Sequence, residues 1–138
     1  MATIKRFEEI EAWINARKLT NMVYDFTNES LFSKDFGLKD QIRRSAVSVM
    51  SNIAEGFESH TQALFADFLG RAKGSVGELR SQLYISLDCG YITEDEFNQA
   101  ISLAEHTSKQ LYRLIAYLKT QPNIRRIREG IIEYNIQS

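Results

Sequence analysis

The sequence predicts an all-α fold: an antiparallel up-down-up-down four-helix bundle followed by a short C-terminal tail. Three observations point there. Apolar residues recur at intervals of three and four rather than two, the period of a helix with one buried face. One proline and seven glycines in 138 residues leave too little punctuation for a chain of many short strands. The breaks between the second, third and fourth periodic segments are only a few residues long, and short links between long helices force antiparallel neighbours. The bundle is expected over residues 1–121, with residues 122–138 as a tail that docks on its own bundle or on a neighbouring copy.

The first helix is expected from about Glu8 to Asn28, with Ala12, Ala16, Leu19, Val23 and Phe26 on its inner stripe. Ile10, Trp13 and Ile14 form a second apolar cluster near its start, and Asn28-Glu29-Ser30 breaks the pattern. The second helix is expected from Leu38 to Glu55, with Leu38, Ile42, Ala46, Val49 and Ile53 inward. Gly56 stands where a left-handed residue would end it. The third runs from Gln62, capped by Thr61, to Cys89. Leu64, Phe68, Ala72, Val76, Leu79, Leu83 and Leu87 make its stripe, and Gly90 supplies the C-terminal stop. The fourth opens on Thr93-Glu94-Asp95-Glu96, a capping box with acids at the positive end of the helix dipole. It continues through Phe97, Ile101, Ala104, Leu111, Ile115 and Leu118 until Pro122 forbids easy extension. The tail is ambiguous: Ile124, Ile127, Ile131 and Ile132 suit a short helix, whereas Ile132 to Ile136 alternates like a strand.

Composition narrows the function classes. Seventeen basic against eighteen acidic side chains give a net charge of −1, so bulk charge cannot hold a polyanion and any basic patch must be local. An apolar fraction of 43% and a mean hydropathy of −0.31 fit a globular domain. The single cysteine, Cys89, cannot form an internal disulfide, and no stretch approaches membrane-spanning length. A cytoplasmic location is expected.

No constellation for catalysis or metal binding emerges, and neither cofactor nor metal is expected. A di-iron bundle needs two Glu-x-x-His pairs, but His60 and His106 are the only histidines, and Glu105 is adjacent to His106 on a different side of its helix. One cysteine and two scattered histidines make a poor zinc site. Cys89 beside Leu87 reads as a buried, inert thiol. Ser45, Ser48 and Ser51 have no histidine near them in sequence, and Gly74-Ser75-Val76-Gly77 lies inside a helix rather than after a strand, so it is not a phosphate loop.

Two helix exteriors are unusual. On the second helix, Val47, Met50 and Ala54 extend the apolar arc roughly 100° around from the core stripe, which points to burial on two sides. On the third, Gly70, Gly74 and Gly77 share the flank away from the leucines, and each costs about 1 kcal/mol relative to alanine. Close approach of another helix would offset that, so these six residues are the expected contact between copies. Among the basic residues, Arg43, Arg44, Lys73 and Arg80 are candidates for phosphate contacts. Arg125, Arg126 and Arg128 cluster in the tail, and Asp67 is spaced to pair with Arg71. Copies of a small cluster around an oligomer would sum into a concentrated patch.

Four segments carry a family resemblance: Phe7-Glu8-Glu9-Ile10-Glu11-Ala12-Trp13; Gln41-Ile42-Arg43-Arg44-Ser45-Ala46-Val47-Ser48; Ser51-Asn52-Ile53-Ala54-Glu55-Gly56; and Ala72-Lys73-Gly74-Ser75 with Glu78-Leu79. In combination they resemble the bacterial four-helix bundle proteins first named from intervening sequences in large-subunit ribosomal RNA genes. The likeness spans about Ile4 to Leu118. Met50 is a departure, standing where the family commonly carries proline. The resemblance implies a homo-oligomer, typically a five-membered ring. It also implies kinship with accessory proteins of diversity-generating retroelements, which bind nucleic acid and a reverse transcriptase. RNA or DNA and a protein such as a reverse transcriptase are therefore the partners it suggests, with no membrane. The family's recurrent polar positions fall on Arg43, Arg44, Ser48, Asn52 and Glu55. Ser48, Asn52 and Glu55 are expected to be structural, with Asn52 and Glu55 satisfying backbone groups at the end of the second helix. The expected function is a non-enzymatic oligomeric adaptor for nucleic acid; the alternative is a protein-binding assembly module.

Overall fold

The computed structural model describes residues 2–122 and 134–136. Four helices dominate: α1 (Glu11–Asn28), α2 (Phe36–Phe57), α3 (Gln62–Asp88) and α4 (Glu94–Lys119). Each packs beside the next, and α4 closes the circuit against α1, the layout of an up-down-up-down bundle. Residues of β1 (Ala2–Ile4) pair antiparallel with β2 (Tyr134–Ile136), Ala2 opposite Ile136 and Ile4 opposite Tyr134. The chain's two ends are thereby joined by backbone hydrogen bonds. The isoleucines at 124, 127, 131 and 132 and the arginines at 125, 126 and 128 lie outside the described residues.

A single core takes residues from all four helices and from the connections: Ile4, Ile10, Phe32 and Ile92 are buried with it. On α1 the buried stripe is Ala12, Ala16, Leu19, Val23 and Phe26; on α2 it is Ile42, Ala46, Val49, Ile53 and Gly56. Both step by four and three alternately, which keeps one face on a bundle axis. The third helix does the same through Phe65, Leu69, Ala72, Val76, Leu79 and Leu83. Its first two turns correct the expectation: Leu64 is 40% exposed and Phe68 half-buried, because two adjacent apolar pairs compete there and only 65 and 69 continue the alternation. Buried hydroxyls are satisfied locally. Thr27, Ser86 and Thr107 each donate to the carbonyl four residues back at 2.8 Å, and Thr20 does so at the same distance to Ala16.

The helix ends show which local signals held. Thr61 and Thr93 accept from the N–H groups of Leu64 and Glu96, and Glu96 returns the bond to Thr93, completing the capping box. Gly90 has φ of 75°. The Tyr91 N–H reaches Ser86 O and the Gly90 N–H reaches Leu87 O, a Schellman ending. Three expectations change. The first segment opens as a separate 3-10 turn at Phe7–Glu9, because a Glu9 carboxylate oxygen accepts from both Lys5 and Arg6 N–H groups; α1 proper begins at Glu11. Asp35 caps α2, accepting from Leu38 N–H at 3.1 Å, so that helix starts at Phe36. Gly56 is not a left-handed stop: α2 runs through it to Phe57. A Cβ there would lie 2.7 Å from Phe68 Cβ and 3.3 Å from the Phe65 carbonyl, so glycine is present to let α3 approach.

Candidate functional site

The arginines of α2 separate into two roles. Arg43 is half-buried, and its Nε donates to Thr27 Oγ1 at 2.8 Å and its Nη2 to Asn28 Oδ1 at 3.0 Å. Its guanidinium also lies 4.3 Å from the centre of the Tyr24 ring. Three contacts to the last turns of α1 make it a tie between the two helices. Arg44 is exposed, in a shallow concavity of about 530 Å³ with Tyr24, Asp40, Arg43, Val47 and Ser48. Asp40, one turn before it, lines the same concavity, so this surface is of mixed charge.

The recurrent polar residues of α2 form a seam to α3. Ser48 and Ser75 hydroxyls meet at 2.9 Å, and the Asn52 amide donates to Ser48 O at 2.9 Å and Ser48 Oγ at 3.0 Å. Asn52 thus braces the middle of α2 and its contact with α3, not the helix end. Glu55 departs from its expected role: it is exposed and takes no hydrogen bond or ion pair among the described residues.

The expected contact residues are divided too. Met50 packs against the chain's own core, Ala54 is half-buried and Val47 is 41% exposed. The 3-10 turn at Phe7–Glu9 and α1 both lie against α2, which accounts for part of its wide apolar arc. Gly70, Gly74 and Gly77 are exposed, and a Cβ built on any of them meets nothing within 4 Å.

Beside that glycine face, between α3 and α4, the structure assembles a groove that sequence reading found only in part. Lys73 faces Ser108, Lys109, Tyr112 and Arg113 of α4 across a concavity of about 280 Å³. Leu111 and Leu114 turn inward, which sends Lys109, Tyr112 and Arg113 outward. No acidic residue lines the groove, and its three cations make no ion pair among the described residues. Gly70 and Gly77 stand one turn before and after Lys73, so the helix surface beside it carries no side chains. Lys109 and Arg113 were absent from the sequence candidates. Their signal was a basic pair four residues apart flanking an aromatic; only the packing of α4 on α3 joins them to Lys73. Arg80, the fourth candidate, sits 3.9 Å from Glu105 with both side chains partly exposed, a weak pair.

Other expectations change in detail. Cys89 is exposed rather than buried. Arg71 lies over the Phe68 ring at 5.0 Å instead of pairing with Asp67. Among the described residues no helix is long and apolar enough to cross a membrane.

The model of a family described as 23S rRNA-intervening sequence protein matches residues 8–113. A solved structure with the same architecture is that of a protein of unknown function from the S23 ribosomal protein family of Bacteroides thetaiotaomicron. It is 25% identical, covers 75% of this chain and 94% of its own, and superposes with a TM-score of 0.65. No curated protein matches the chain.

Proposed function

Because the chain belongs to the 23S rRNA-intervening sequence protein family, we propose that it works without catalysis, as a self-associating bundle that holds nucleic acid by its phosphates. The observation that carries this reading is the groove of Lys73, Lys109 and Arg113 with no acid in its lining. In a chain whose net charge is −1, three cations converging from two helices, with no ion pair among the described residues, are a local departure of the kind a phosphate backbone needs. One copy offers few contacts. Several copies, related by packing the glycine face of α3 on the Val47 side of α2 in the next, would present several grooves to one strand. Such a contact joins unlike surfaces, which close into a ring when the rotation between copies closes and grow a filament when it does not. A five-membered ring located in the cytoplasm is the form we favour.

The test is an anisotropy titration of labelled RNA and DNA across salt. Binding should weaken as salt rises. The combined Lys73→Ala, Lys109→Ala, Arg113→Ala variant should lose affinity and flatten the log–log salt slope by about 2 to 3 per copy. Arg43→Ala should instead lower thermal stability. Equal binding by wild type and the triple variant would overturn the reading. It would favour a protein-binding assembly module, for which Leu31 and Phe36, 63% and 72% exposed near the α1–α2 connection, offer apolar surface. A reverse transcriptase is one partner such a module could serve.

A further inference from the structure

We propose that the α3–α4 groove takes single-stranded nucleic acid, one base stacking on Tyr112 while the flanking phosphates sit on Lys73, Lys109 and Arg113. This rests on the phosphate-binding reading above and adds what kind of strand is bound. Tyr112 is 64% exposed, and its ring makes no contact with another ring or with a guanidinium among the described residues. Other tyrosines of the bundle are engaged. Tyr91 stacks on Phe32 at 5.0 Å, Tyr84 meets Phe97 edge-on at 4.9 Å, and Tyr24 lies under Arg43. An aromatic face left to water between two cations of its own helix is the combination that recognises unpaired nucleotides: the ring meets a base, the cations meet the backbone.

A duplex would not use it. Its bases are stacked on one another, so it offers the groove phosphates alone and leaves Tyr112 idle. The chemistry is shared by RNA and DNA, since both supply a π-face and a phosphate on either side of it.

The experiment uses the full chain and fluorescein-labelled oligouridylate, oligothymidylate and a blunt duplex of equal length. Both single strands should bind more tightly than the duplex. Tyr112→Ala should weaken single-strand binding by between about fivefold and a hundredfold, the range for one lost stack. It should leave duplex binding and the salt slope unchanged, and Tyr112→Trp should restore affinity. Tighter binding of oligouridylate than oligothymidylate would mark RNA as the source, and the reverse would mark DNA. Because Tyr112 is largely in water, circular dichroism of both variants should match wild type, separating a lost stack from a lost fold. If Tyr112→Ala binds single strands as wild type does while the triple cation variant has lost binding, stacking is refuted and phosphate binding survives. If no probe binds, both readings fail.

Discussion

At the scale of single residues, glycine separates three physical situations within one chain. At Gly90 the backbone itself requires it, with φ at 75° in the turn that ends α3. At Gly56 the neighbour requires it, and at Gly74 nothing among the described residues does. Gly56→Ala is the informative change. Alanine would gain about 1 kcal/mol of helix propensity. Against that, its methyl would press on Phe68 Cβ, an atom fixed to the α3 backbone, and inserting a methylene into a packed core costs about 1–3 kcal/mol. The clash should win, and the urea midpoint should fall at unchanged m-value, by up to about 2 kcal/mol of stability. A rise in the midpoint would show that α3 can retreat freely. The sequence marked Gly56 as special but not why, since a turn and a close approach leave the same letter. The deciding sign was its place as the next step of the 42, 46, 49, 53 alternation, which puts it inside the core rather than beyond it.

Between elements, the two connections at one end of the bundle are joined by Asp35. One carboxylate oxygen caps α2 through Leu38 N–H; the other accepts from the Tyr91 hydroxyl at 3.0 Å, across the gap to the α3–α4 connection. That hydrogen bond, with burial and the nearby negative charge, raises the Tyr91 pKa above its ordinary 10.0. A raised folded-state value means that the contribution to stability is complete below the unfolded pKa of about 10 and is lost as pH climbs through the folded one. Tyr91→Phe should therefore unfold at a lower temperature than wild type at neutral pH. The gap between the two should shrink above pH of about 10, where the wild-type hydroxyl ionises. No gap at neutral pH would mean that the hydrogen bond contributes nothing and that the Phe32 stack, which the variant keeps, joins the two connections. Periodicity made the helices and most of their inner faces legible, because burial on one axis imposes the four-three step. It did not reveal Asp35–Tyr91 or Lys73 with Lys109 and Arg113. Those pairs are 56 and about 40 residues apart, and only packing decides which surfaces meet.

For the whole molecule, the unresolved balance is the exposed face of α3. Gly70, Gly74 and Gly77 together cost about 3 kcal/mol of helix propensity, out of the 5–15 kcal/mol a domain keeps in total. Among the described residues nothing lies within 4 Å of a Cβ built there to offset it. Self-association is the proposed reason, and Gly74→Gln tests it cleanly. A Cβ at this position meets no atom of the described residues within 4 Å. It improves helix propensity by several tenths of a kcal/mol or more, so the isolated bundle should be no less stable than before. In an assembly the same side chain would wedge two helices apart. Sedimentation at micromolar concentration should give a multiple of 15.9 kDa for the wild type and 15.9 kDa for Gly74→Gln. The wild-type unfolding temperature should rise with protein concentration, as linkage to association demands, and that of the variant should not. A wild type that sediments at 15.9 kDa, with Gly74→Gln simply more stable, would make the glycine face an open surface of a monomer. The groove beside Lys73 would then have to bind with its own three cations alone.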